Sequence, residues 1–163
     1  VKPPSLSNTN PLLKFLLEQM LSHNPDLRPS TAEVASYPVF WRPQTCLEFV
    51  QDVSNFLDTR QGQVADNFES ACNKIDPFID WSKRLDPTIW DHLRGFRGYQ
   101  TDKYLHLMRA IRNISAHWAE IKSHKPAILK LLVSYSGIWR YFHSRFPYFL
   151  VAIWKAFGSC NIA

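Results

Sequence analysis

The sequence predicts an all-α protein, and three observations predict it. Apolar residues recur at three- and four-residue spacing in one segment after another. No segment alternates apolar and polar residues with period two. Glycine-based hairpin signals are absent, with only five Gly in the chain against eleven Pro.

Residues 1–11 are rich in Pro, Ser and Asn and read as a loop or frayed end. Residues 11–22 place Leu12, Phe15, Leu16, Met20 and Leu21 on one stripe, a helix opened by Pro11 in its first turn. The run from His23 to Asp26 breaks it. Ser30 is an N-cap with Glu33 at the capping-box position, so a short second helix begins there and ends at Tyr37-Pro38. From Cys46, the side chains of Leu47, Phe49, Val50, Val53, Phe56 and Leu57 trace one face of a long helix ending within residues 58–62. Residues 65–73 read as one or two further turns. Asp86-Pro87 is an N-cap followed by a first helical residue, and the helix runs to about Phe96 with Ile89, Trp90 and Leu93 inward. Residues 101–120 read as a second long helix with Tyr104, Leu105, Met108 and Ile111 on its apolar stripe. Residues 126–133, 138–142 and 146–157 complete the set, with Pro147 near the start of the last, where its missing N–H costs little.

With 163 residues, 45% hydrophobic and 14% aromatic, the chain holds about one domain's worth of core. Six Trp, six Tyr and eleven Phe exclude a disordered chain. No apolar run approaches the ~20 residues of a membrane span, and Val1–Asn10 has no signal core, so the expectation is a soluble fragment of a longer protein that makes no membrane contact. A net charge of +5 permits an acidic partner such as RNA and equally suits a mildly basic surface. Cys46, Cys72 and Cys160 lack metal-ligand spacing, which predicts buried free thiols in a reducing compartment, no metal and no cofactor.

Chemistry-bearing residues concentrate between Arg94 and His117. Asn113 and His117 are four apart and so share a helix face, Arg112 lies about 100° round from Asn113, and Tyr99 comes from the preceding loop. These groups suit RNA cleavage by proton transfer. A histidine can protonate a leaving 5′-oxygen, an arginine can fork onto phosphate oxygens, and an asparagine amide can donate one more hydrogen bond. A tyrosine can accept the 2′-hydroxyl proton once its own proton is made easier to lose. By spacing alone, the alternative stays open: His117 and Asn113 as surface residues, and Arg109 and Arg112 as a solvated face or partners for acids elsewhere.

Read in order, the motifs resemble a known family. Residues 17–21, the run Asn24-Pro25-Asp26-Leu27-Arg28-Pro29-Ser30 and Tyr37-Pro38-Val39-Phe40-Trp41 resemble the end of a protein-kinase C-lobe. Leu47-Glu48-Phe49-Val50-Gln51-Asp52-Val53-Ser54, Trp81, residues 94–99, Ile111-Arg112-Asn113 with His117, and residues 141–147 are similar to the kinase-extension nuclease (KEN) domain. That domain is shared by the endoplasmic-reticulum stress sensor kinase/endoribonuclease and ribonuclease L. The resemblance implies two parts: residues 1–40 as the remnant of a kinase-like C-lobe, and residues 41–163 as a compact helical KEN ribonuclease lobe.

It further implies metal-independent cleavage of stem-loop or single-stranded RNA to 2′,3′-cyclic phosphate ends, by a dimer, in unfolded-protein-response signalling. The implied partners are RNA, a second copy paired through KEN and kinase lobes, and an upstream kinase or pseudokinase domain. The implied location is the cytoplasm, at the cytosolic face of the endoplasmic reticulum if the parent is the stress sensor. By position, His117 matches the general acid, Tyr99 the proposed general base, and Arg112 and Asn113 the phosphate- and substrate-contacting pair. Phe96, Arg97 and Arg109 fall on the RNA side. Trp81 matches an aromatic that either packs the core or meets RNA, and Arg28 an arginine whose acidic partner lies upstream. The chain departs from the family at His106, where members often carry an acid, and at Ile114 and Ala116, which are polar or charged in some. These departures keep a second reading alive, a catalytically silent dimerisation or RNA-binding module.

Overall fold

Helix starts follow the local chemistry of caps and prolines. In the computed structural model, which describes residues 10–60, 62–77, 80–96 and 98–159, ten α-helices form and no strand occurs among the described residues. Asn10 caps α1 (Pro11–Met20) by accepting from the Leu12 N–H. Ser30 and Glu33 close a reciprocal capping box on α2 (Thr31–Ser36). Proline opens α3 (Pro43–Thr59), and α4 (Gln63–Asn73) follows after Gly62, whose φ of 86° turns the chain. Asp86 caps α5 (Pro87–Arg94) through the Thr88 N–H. Then come α6 (Tyr104–Ala116), α7 (Trp118–His124), α8 (Pro126–Leu132), α9 (Tyr135–Arg145) and α10 (Phe149–Ser159).

The core is one continuous cluster. Helix α6 lies mainly against α3, and both pack on α9; α10 packs against α4 and also touches α3 and α1. Leu47, Val50, Val53 and Leu57 of α3 meet Leu107, Met108, Ile111 and Ile114 of α6 in this cluster, all at 0–1% exposure. The first segment is docked on α10 by aromatic contacts: the Tyr37 ring stands edge-on to Trp154 at 4.5 Å, and the Lys155 ammonium sits 3.6 Å from the Phe15 ring centre.

Four expectations are corrected. The single helix over 101–120 is two. At His117 (φ −93°, ψ 16°) the chain leaves the helix of α6 and restarts as α7. The Ser115 hydroxyl donates back to the Ile111 carbonyl at 2.9 Å, a bond that bends helix ends, and the turn lets Ile121 reach the core. The stripe of α1 is shorter than predicted, because Leu12 and Leu16 are buried while Met20 and Leu21 stand exposed past the contact with α10. Helix α9 extends over Tyr135–Arg145 rather than 138–142, since the Ser134 cap starts it earlier. The last helix begins at Phe149, not 146, because Phe146 is the C-cap of α9 with its ring in the core. Cys46 and Cys72 are buried, as expected, and burial pushes the Cys46 thiol up to about 11. Cys160 lies outside the described residues.

Candidate active site

The predicted site is assembled by two anchors, one for the loop carrying Tyr99 and one for α6. Trp81 anchors the loop. Its backbone N–H donates to the Thr101 carbonyl at 2.8 Å and its indole N–H to the Lys103 carbonyl at 3.2 Å. Its ring is fully buried and meets Trp90 at 5.6 Å and Tyr99 at 6.0 Å, both edge-on. Trp81 is therefore a core residue that backs Tyr99. Glu69 of α4 anchors α6. The residue before α6 offers no side-chain cap, and the Glu69 carboxylate instead accepts from the Tyr104 N–H at 3.0 Å and the Leu105 N–H at 2.6 Å. Burial raises the Glu69 carboxyl above its ordinary value even though both backbone bonds pull it down.

With both elements fixed, the last turns of α6 face the loop. The Asn113 amide donates to the Tyr99 hydroxyl oxygen at 2.7 Å. His117, half-exposed at the helix end, lays its ring 4.8 Å from Phe96, and its Nδ1 lies 3.3 Å from the Glu120 carboxylate. His92 stands edge-on to Phe96 at 4.9 Å, with its Nε2 buried and unpartnered among the described residues. Burial, joined by the Lys125 charge, holds the His92 imidazole below its ordinary value.

The arginines lie on the seam between α6 and α3. Arg109 places Nε 2.7 Å and Nη2 2.6 Å from Asp58 Oδ1. Arg112 Nη1 donates to Asp58 Oδ2 at 2.6 Å and to Asn55 Oδ1 at 2.9 Å. Burial would raise the Asp58 carboxyl, but the hydrogen bonds and charges of Arg112 and Arg109 outweigh it and hold the group below its ordinary value. His106 sits between seam and loop. Its Nδ1 accepts from the Gln100 N–H at 3.1 Å, so a neutral ring carries its proton on Nε2, 3.5 Å from Arg109 Nη1.

The structure thus brings Tyr99, Asn113, Phe96 and His117 to the end of α6, with Arg112 and Arg109 one step round the helix. Asn113 and His117 meet the loop at different points rather than each other. Arg97 lies outside the described residues. Ile114 is a core residue and Ala116 is exposed. Arg28 is exposed, with its Nε donating to the Ser22 carbonyl. Sequence reasoning missed Asn55, Asp58 and His92. The first two had one available signal, a polar pair three apart on the border of the α3 apolar stripe. A cavity of about 440 Å³ lined by Arg28, Tyr37 and Trp154 contains none of the predicted site residues. Among the described residues no cluster of three His, Cys, Asp or Glu could hold a metal ion, and no helix is long and apolar enough to cross a membrane.

An all-helical lobe with this Tyr–Asn–His end is matched by one family model, described as Ribonuclease 2-5A, over residues 46–162. The chain belongs to that family and is a KEN domain. It is similar to the serine/threonine-protein kinase/endoribonuclease IRE1 of Oryza sativa subsp. japonica, 30% identical over 146 residues, covering 88% of this chain and 16% of that protein. It is likewise similar to the human serine/threonine-protein kinase/endoribonuclease IRE2, 31% identical and covering 89% of this chain and 16% of that protein. A third relative, from Arabidopsis thaliana, is named inactive serine/threonine-protein kinase/endoribonuclease IRE1-like; it is 30% identical over 85% of this chain and 28% of its own length. The chain spans about one sixth of the first two relatives.

Proposed function

We propose that this chain is the endoribonuclease lobe of a kinase-linked protein of unfolded-protein-response signalling. It cleaves stem-loop or single-stranded RNA to 2′,3′-cyclic phosphate ends without a metal, and it works as a dimer. Residues 1–40 are the end of the kinase-like lobe and residues 41–163 the nuclease lobe, at the cytosolic face of the endoplasmic reticulum. The observation that carries the reading is the Asn113–Tyr99 hydrogen bond beside a half-exposed His117.

The chemistry follows from the polarity of these contacts. Asn113 donates to the tyrosine oxygen, and a donor aimed at an oxygen favours negative charge on it. Tyr99 then accepts the 2′-hydroxyl proton, and the 2′-oxygen attacks the adjacent phosphorus. Arg112 stabilises the charge building on the phosphoryl oxygens. His117, as imidazolium, gives its proton to the departing 5′-oxygen, and Glu120, 3.3 Å from its Nδ1, steadies the ring. Phe96 offers an aromatic face on which an unpaired base can stack. A dependence on the 2′-hydroxyl makes DNA a ligand and not a substrate.

The test is cleavage of a labelled RNA hairpin in excess EDTA by the chain fused to a parallel coiled coil, beside His117→Ala. Cleavage by the parent and none by the variant is the expected result. Equal cleavage by both removes His117 from the mechanism. A second reading, a silent dimerisation or RNA-binding module, is favoured by the relative named inactive. It requires a verified dimer that binds the hairpin and leaves it whole.

A further inference from the structure

We propose that Asp58, with Asn55, is a positioning residue for Arg112: the two side chains of α3 hold the guanidinium by Nη1 alone and leave its Nε–Nη2 edge free to fork onto the scissile phosphate. The inference rests on the ribonuclease reading above and adds a second helix to the machinery.

An arginine presents five N–H donors in a rigid fork, and two parallel donors on one edge match two phosphate oxygens. On a solvated helix face such a side chain samples many rotamers. Arg112 does not stand free, because Nη1 is shared by Asp58 Oδ2 at 2.6 Å and Asn55 Oδ1 at 2.9 Å. Its Nε and Nη2 make no hydrogen bond among the described residues. Holding one nitrogen at two points fixes the plane of the group and points the opposite edge away from α3.

Arg109 takes the complementary part. It uses its own Nε and Nη2 on Asp58 Oδ1, so the edge that Arg112 keeps open is the edge that Arg109 has spent. Arg109 thus belongs to the support rather than to the phosphate contact. It also leaves the trio with two positive charges against one negative, a net +1 that still attracts an anion. The side chains of Arg109, Arg112 and Asp58 are only 19%, 19% and 27% exposed, which strengthens their mutual attraction relative to a surface pair. The carboxylate therefore orders the arginine without cancelling it.

The test is steady-state cleavage of the RNA hairpin in EDTA by the full chain in its dimeric fusion, comparing the parent with Asp58→Asn, Asp58→Glu and Asn55→Ala. Asp58→Asn removes one negative charge, so RNA binding should hold or tighten while kcat falls at least about ten-fold through the loosened fork. A role confined to stability would lower the melting temperature and leave kcat per folded molecule unchanged. Asp58→Glu keeps the charge and should recover part of the loss. Asn55→Ala alters one exposed bond, keeps the fold if Asp58→Asn does not, and should lower kcat a few-fold at unchanged KM. Parent-level kcat in both Asp58→Asn and Asn55→Ala overturns the inference while leaving the ribonuclease reading intact. A dimeric parent that binds the hairpin without cleaving it overturns both.

Discussion

The Asn113 amide and the Tyr99 hydroxyl, fourteen residues apart, are joined by a 2.7 Å hydrogen bond that ties the end of α6 to the loop before it. Neither partner is placed by its own neighbours alone. Tyr99 leans on the buried Trp81, and Asn113 rides on a helix whose first turn is capped from α4 by Glu69. The site is therefore the meeting point of two separately anchored elements, and its geometry can be lost from either side.

Tyr99→Phe keeps the ring against Trp81 and removes the proton acceptor. Loss of a positioned general base costs about a hundred-fold or more. Single-turnover cleavage should fall by that amount with little change in melting temperature. Asn113→Ala should also slow cleavage, because the tyrosine oxygen loses its donor. A Tyr99→Phe enzyme that cleaves at the parental rate would assign the proton transfer to another group.

Glu69→Ala leaves the Tyr104 and Leu105 N–H groups without an acceptor in a buried place. Unsatisfied buried donors cost about 1–3 kcal/mol each, so urea unfolding should show a loss of about 2–6 kcal/mol. Glu69→Gln keeps one acceptor and buries no charge, and burial is what raises this carboxyl. It should be the milder change. Equal losses for both would show that side-chain volume, not hydrogen bonding, sets the cost.

The legible part of the molecule was local. Ser30 with Glu33, Asp86 with Pro87, and the stripe of Leu47, Val50, Val53 and Leu57 announce helices through contacts within one or two turns, and they form as read. The four-residue spacing of Asn113 and His117 placed both at the loop, because helical periodicity holds to the end of α6. What escaped depends on partners distant in sequence. Asp58 meets Arg109 and Arg112 from more than fifty positions away, and nothing on α3 alone says which helix will cover it. The break at His117 escaped for a different reason. It follows from where Ile121 must point to be buried, a demand set by the core and not by the residues at the joint.

Gly137→Ala tests the joint between α8 and α9. Val133 holds φ 65° and ψ −46°, and the Ser134 N–H donates to the Leu132 carbonyl at 2.7 Å, a γ-turn of the rare, strained hand. That turn aims the Leu132 carbonyl at Gly137, where an added Cβ would lie 1.7 Å from the oxygen. Backbone must move to admit a methyl, so the substitution should cost at least about 2 kcal/mol in urea unfolding. Val133→Ala, on an exposed side chain, should change stability far less. A neutral Gly137→Ala would mean that the turn relaxes without loss.

His143 sets part of the acid sensitivity of the fold. Its ring stacks on Trp139 at 5.3 Å, its Nδ1 is buried and unpartnered among the described residues, and burial holds its proton affinity below the ordinary histidine value. A lowered folded value means that, below about pH 6.5, the unfolded chain binds the proton first. Stability is then full above that pH and falls as the pH drops toward the folded value. His143→Phe keeps the stack and cannot ionise, so the loss of unfolding free energy between pH 7 and pH 5 should shrink. It should not vanish, because His92 is shifted in the same direction by its own burial. The measurement is a series of urea titrations from pH 7 to pH 5 on parent and variant. An unchanged slope would show that His143 takes up its proton equally well folded and unfolded, and would leave the acid response to other groups.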